Sequence, residues 1–114
     1  MNSILDSIKN QLNVHPEEVG FDQEIILLIN QAFSTLQQLG AGPKEGFYIV
    51  DNTSVWNDYT EDNILLQWVK MYVYLKTKFI FDPPQNSSFL NSINEEINEH
   101  EWRIRKHAED SETG

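Results

Sequence analysis

The chain contains no cysteine. Disulfide bridges, thiolate nucleophiles and cysteine-ligated zinc are therefore excluded, and the composition suits a reducing compartment. Basic residues are scarce: eight Lys and Arg stand against eighteen Asp and Glu, for a formal charge of −10. A surface of that sign repels phosphate and argues against direct nucleic-acid binding by counter-ion release. It is compatible with a polyanion passing nearby, because an acidic wall repels DNA without trapping it. It also suits simple solubility. Long apolar runs are missing too. Lys70, Lys76 and Lys78 interrupt the most hydrophobic segment, short of the roughly 20 residues a membrane span needs, so no membrane association is expected. The first ten residues, MNSILDSIKN, show no basic region followed by an apolar stretch, and no secretory signal is expected.

What is present fits one small folded domain. The chain has 114 residues, 39% hydrophobic and 23% charged, an ordinary globular balance. Its most informative segment runs from Ile64 to Pro84. Apolar and aromatic side chains there point around nearly the whole circumference of a helix. A surface helix shows one apolar stripe, so this one must be covered on several sides. Either the other helices wrap it, or another chain supplies part of the cover.

Periodicity divides the chain into four helices. Ser3 to Asp6 forms a capping-box pattern opening a first helix, with Ile4, Leu5, Ile8 and Leu12 on one side. Pro16 and Gly20 break it. Asp22 fits the cap of a second helix, with Phe21 and Ile26 placed as a hydrophobic staple. Ile25, Ile26, Leu28, Ile29, Ala32, Phe33, Leu36 and Leu39 form its stripe, and Gly40 ends it in a left-handed conformation before Gly42-Pro43. Residues 41–59 read as an extended loop, with Phe47 to Val50 as a possible short strand or hairpin. Trp56 and Tyr59 are placed to tack its end to the core. Thr60 is expected to cap the third helix, with Glu61 and Asp62 in its first turn, and Asp82-Pro83-Pro84 stops it. Asn86, Ser87 or Ser88 caps a fourth helix bearing Phe89, Leu90, Ile93, Ile97 and Ile104. The expected fold is all-α: a bundle-like domain over residues 1–107 and a flexible acidic tail over 108–114.

No catalytic, cofactor or metal site emerges. His100 has no second histidine four positions on, and His100 and His107 lie too far apart along a helix for an ideal ligand pair. Asp51 to Ser54 lacks the glycine and terminal glutamate of a calcium loop. Gly40 and Gly42 form no phosphate-binding signature. Glu95, Glu96, Glu99 and Glu101 lie near Arg103, Arg105 and Lys106, where ion pairs at three- and four-residue spacing account for them. Two features favour an interaction protein. Trp102 falls opposite Phe89, Ile93 and Ile97 on a charged helix face, either as an interface anchor or as a residue clamped within one subunit. Tyr74 and Phe81 lie off the main face of the third helix, where they could meet another chain or complete a wrapped core.

Taken in order, ILDSIKNQLN, IILLINQAFSTLQQLGAGP, Trp56-Asn57-Asp58, VKMYVYLKTKFIFDPP and INEEINEHEWRIR resemble the head–tail connector, or adaptor, family of long-tailed bacteriophages and prophages of Gram-positive bacteria. The helix ending in Phe81-Asp82-Pro83-Pro84 is the most specific element, followed by the Asn30 to Gly40 stretch. The resemblance covers about residues 3–106 and implies a small helical protein with no catalytic residues and no cofactor. It implies a self-assembled ring, commonly a dodecamer, beneath the portal protein at the head–tail junction of the virion, after assembly in the host cytoplasm. Such a ring extends the DNA channel and docks the stopper or tail protein, while DNA passes without sequence-specific binding. By position, Phe47, Tyr48 and Trp56 of the long loop, with Tyr74, Phe81 and Trp102, are the expected interface residues. Trp68, Tyr72, Leu75 and Phe79, with Ile29, Phe33 and Leu36, are expected in the core. The competing reading is a small acidic helical module that regulates another protein by imitating nucleic acid. The distribution of charge weakens it, because the acids collect at the two ends and the middle of the chain is neutral.

Overall fold

The computed structural model describes residues 3–113. Five helices follow one another: α1 (Ile4–Gln11), α2 (Asp22–Gln38), α3 (Trp56–Tyr59), α4 (Asn63–Phe81) and α5 (Ser87–Thr113). The all-α expectation holds. The fifth helix is the one-turn α3, inside the stretch read as loop. Packing is centred on α4, which meets α5 and α2 along most of its length and α1 more briefly. The result is a flat subunit measuring 43 × 35 × 20 Å.

Helix α1 begins as its sequence dictates: the Ser3 hydroxyl accepts the Asp6 N–H at 3.2 Å, satisfying one orphan donor of the first turn. Its buried face is Ile4, Leu5 and Ile8, joined by Lys9. Asn13 then adopts a left-handed φ of 63°, a conformation asparagine tolerates better than most residues. The Asp22 cap is not what forms. Phe21 occupies the cap position without a side-chain bond, and Asp22 turns instead to Lys9, 2.7 Å away. A buried ammonium demands a counter-charge more strongly than a helix end demands a cap. The α2 stripe is buried from Ile25 to Leu36 as its spacing requires, and Gly40 leaves it at φ 90°.

No strand forms among the described residues beyond an isolated antiparallel bridge between Ser3 and Val55, so the possible hairpin at Phe47 to Val50 is absent. That segment has no partner strand. Its backbone is satisfied by a side chain instead: Asn30 accepts the Ile49 N–H at 2.8 Å and donates to the Ile49 carbonyl at 2.9 Å. Asp62, not Thr60, caps α4, its carboxylate accepting the N–H groups of Ile64 and Leu65, both at 3.1 Å. The Thr60 hydroxyl accepts the Asp62 N–H at 3.1 Å, a turn that delivers Asp62 to the cap. Asn86 caps α5 through Ser88, at 2.8 Å. The helix continues through residue 108 to Thr113.

Helix α4 is wrapped, with exceptions. Leu65, Leu66, Val69, Tyr72, Val73, Leu75 and Thr77 are buried, whereas Ile64, Met71 and Ile80 remain exposed. Of the expected core, Tyr72, Leu75, Ile29, Phe33 and Leu36 are buried, and Trp68 and Phe79 lie half-buried against them.

Candidate interaction surfaces

The structure separates the six interface candidates into three kinds of environment. The extended segment after α2 alternates sides as a strand would. Phe47 and Ile49 face inward, while Tyr48 and Val50 face solvent, 71% and 65% exposed. Phe47 is half-buried, edge-on to Phe33 at 5.0 Å and to Tyr59 at 5.3 Å. Trp56 is a core residue. It is buried, its indole N–H donates to the Ser7 hydroxyl at 2.9 Å, and Lys70 lies 5.8 Å from the centre of its ring. It does the tacking that its position proposed and offers no free surface. Tyr74 and Phe81 are half-buried, and Phe81 meets Phe21 edge-on at 5.5 Å.

Trp102 stands apart at 63% exposed. With Trp68, Arg103, Lys106, His107 and Asp110 it lines a shallow cleft of about 160 Å³. The flanking charges pair along their own helix: Arg103 with Glu99 at 2.6 Å and Lys106 with Asp110 at 3.6 Å. Glu101 leaves the acidic series to accept the Tyr72 hydroxyl at 2.8 Å. Burial, reinforced by that carboxylate, pushes the Tyr72 phenol well above its usual range.

Several exposed apolar residues escaped the sequence reading: Val19, Phe21, Leu27 and Ile80 among them. Leu27 lies outside the apolar stripe of α2, and Ile80 sits in the nearly all-apolar α4, where hydrophobicity gives no sign of which side stays bare. Phe89, assigned by periodicity to the apolar face, is 65% exposed and opens instead onto the α4–α5 elbow. There Pro83, Pro84, Phe89 and Ile93 line a cleft of about 600 Å³ flanked by Lys78, Asp82 and Glu96. A second cleft, about 570 Å³, lies between the Gly40 to Lys44 turn and the end of α5. On its wall His107 Nε2 lies 2.7 Å from Asp62 Oδ2. That hydrogen bond, with the α4 N–H groups, holds the Asp62 carboxyl below the ordinary carboxylate range.

The histidines do not converge. His15 Nδ1 accepts the Glu17 N–H, His100 meets the Glu96 carbonyl, and His107 serves Asp62. Among the described residues no group of three or more His, Cys, Asp or Glu is placed to hold a metal ion. None of their helices is long and apolar enough to cross a membrane. What the surface carries is exposed aromatic and aliphatic side chains set among charges.

Comparison with known families gives a match to a family model described as phage connector protein, over residues 4–111. No curated protein and no solved structure matches significantly.

Proposed function

The chain belongs to the phage connector protein family, and from that premise we propose that it is a structural subunit of the virion neck. In this reading, copies of the chain form a ring beneath the portal, extend the DNA channel, and present a platform to the stopper or tail protein. The observation that carries it is the extent of the family match, which runs from the first residue of α1 to within two residues of the end of α5 and includes the loop between α2 and α3. The flat shape and the exposed apolar residues on several elements support it. A ring subunit needs two different patches that meet across each joint. The net charge of −10 suits a conduit through which DNA slides without adhering.

The test is to mix the purified chain with portal rings from the same phage and to weigh the complex by native mass spectrometry. A mass increment equal to a whole ring of 13.3 kDa subunits is the expected outcome. A portal that gains no mass, together with particles whose necks lack the chain, would refute the reading.

A further inference from the structure

Building on the ring reading, we propose that neighbouring copies join by seating Trp102 and its basic flank in the groove between Val19 and Val50 of the next subunit. The proposal starts from charge. Each copy carries −10, so copies meeting at arbitrary surfaces repel, and a favourable joint must bring a basic segment onto an acidic one. The segment Trp102 to His107 holds three of the eight basic side chains and no carboxylate. Nowhere else in the sequence do three basic residues fall within four positions. The same segment presents Trp102, 63% exposed. Its existing ion pairs, Arg103 with Glu99 and Lys106 with Asp110, are exposed same-helix pairs that exchange at little cost.

A complementary receptor lies on the α1–α2 side. Leu5, Val19, Ile26 and Val50 line a groove of about 260 Å³ rimmed by Asp6 and Asp51, on the scale of one large side chain. Val19 and Val50 are among the most exposed aliphatics of the protein, at 68% and 65%. The neighbouring Asp22 is already neutralised by Lys9. Among the described residues Asp6 and Asp51 meet only neutral groups, the Asn52 amide and Thr53, and so keep their charge for an incoming cation.

A two-fold dimer would need both patches on one face of the subunit. Helix α5 packs on one side of α4, and α2, with α1, packs on another. The knob and the groove therefore belong to different faces, and a contact between them propagates head to tail until the rotation closes. A buried Trp contributes roughly 150–250 Å² of the ~800 Å² per partner that a stable interface needs. Trp102 thus acts as the anchor within a wider contact.

The test reads association in two ways, each with the chain alone at high concentration and with portal rings as template. Arg105→Glu and Asp51→Lys should each weaken association about tenfold or more, and the double exchange should restore most of the loss. Because the chain has no cysteine, Lys106→Cys combined with Val50→Cys should give an oxidised ladder of multimers, with the single variants stopping at dimers. If the wild type assembles while the exchanges have no effect and no ladder forms, this joint is wrong and the ring reading stands. A wild type that stays monomeric even on portal rings sinks both.

Discussion

Lys9 is the residue whose place in the structure is least like its chemistry. It is completely buried, its ammonium donating to the carbonyls of Pro16 and Glu18 at 3.0 and 2.8 Å and meeting Asp22 at 2.7 Å. One side chain thereby ties α1 to the start of α2 and fixes the intervening turn. The sequence held a signal, since Lys9 falls four positions after Leu5 within the apolar stripe, but a lysine there also reads as a stem passing along the surface to water. Asp22→Ala should cost about 3 kcal/mol in urea unfolding, because it strands a buried charge. The two buried tyrosines differ in the opposite sense. Tyr72 donates to Glu101, whereas the Tyr59 hydroxyl finds no partner among the described residues. Tyr72→Phe should therefore destabilise by about 1–2 kcal/mol, and Tyr59→Phe should be neutral or stabilising, which paired melting curves will separate. Both phenols are raised above their ordinary value of 10.0, chiefly by burial. A raised folded value means the fold holds the proton more tightly than the unfolded chain. Their contribution is thus complete below pH 10 and disappears as pH climbs through the folded values. Ultraviolet titration should show these two ionising only together with alkaline unfolding.

At the scale of elements, the helices whose apolar period is strong were legible, and their ends were not always so. The α2 stripe and the Gly40 stop follow directly from side-chain spacing and from the freedom of glycine at φ 90°. Both caps that differ from expectation, Asp22 and Thr60, lie where two polar candidates or a distant charge compete. Local chemistry offers the options, and a tertiary partner, Lys9 in one case and His107 in the other, accompanies the choice. The loop between α2 and α3 shows the same limit. The extended character of Phe47 to Val50 was visible, but the four residues are all apolar or aromatic and gave no sign of which face inward, and the group that satisfies their backbone, Asn30, lies on a helix 19 residues away. Gly42 in that loop is required twice over: it sits at φ 80°, and a Cβ there would lie 2.5 Å from the Tyr59 ring. Gly42→Ala should accordingly cost about 2 kcal/mol or more, from backbone strain plus displacement of Tyr59. Thermal denaturation can check this, and an unchanged melting temperature would mean the turn is looser than its geometry indicates.

The whole molecule presents a balance that neither composition nor any single helix determines. The α4 helix, apolar around most of its circumference, is largely satisfied by α2, α5 and α1 within one subunit. Yet Ile64, Met71, Ile80, Leu27, Tyr48, Val50 and Trp102 remain at the surface of a chain with only modest bulk. The exposed indole of Trp102 on a charged helix has two explanations, a joint between copies or a clamp against Trp68 within the subunit. The two explanations separate cleanly in one variant. If Trp102 belongs to a joint between copies, Trp102→Ala should change the stability of the isolated subunit by no more than about 0.5 kcal/mol, as for an ordinary surface position. The same change should weaken assembly by about 2 kcal/mol or more, the range of a hot-spot aromatic. Differential scanning calorimetry of the subunit and sedimentation of the assembled form measure the two quantities independently. A variant that melts far below the wild type would place Trp102 in the service of its own fold, clamped against Trp68. A variant that keeps both its stability and its assembly would leave the charged rim, not the indole, as the source of the contact.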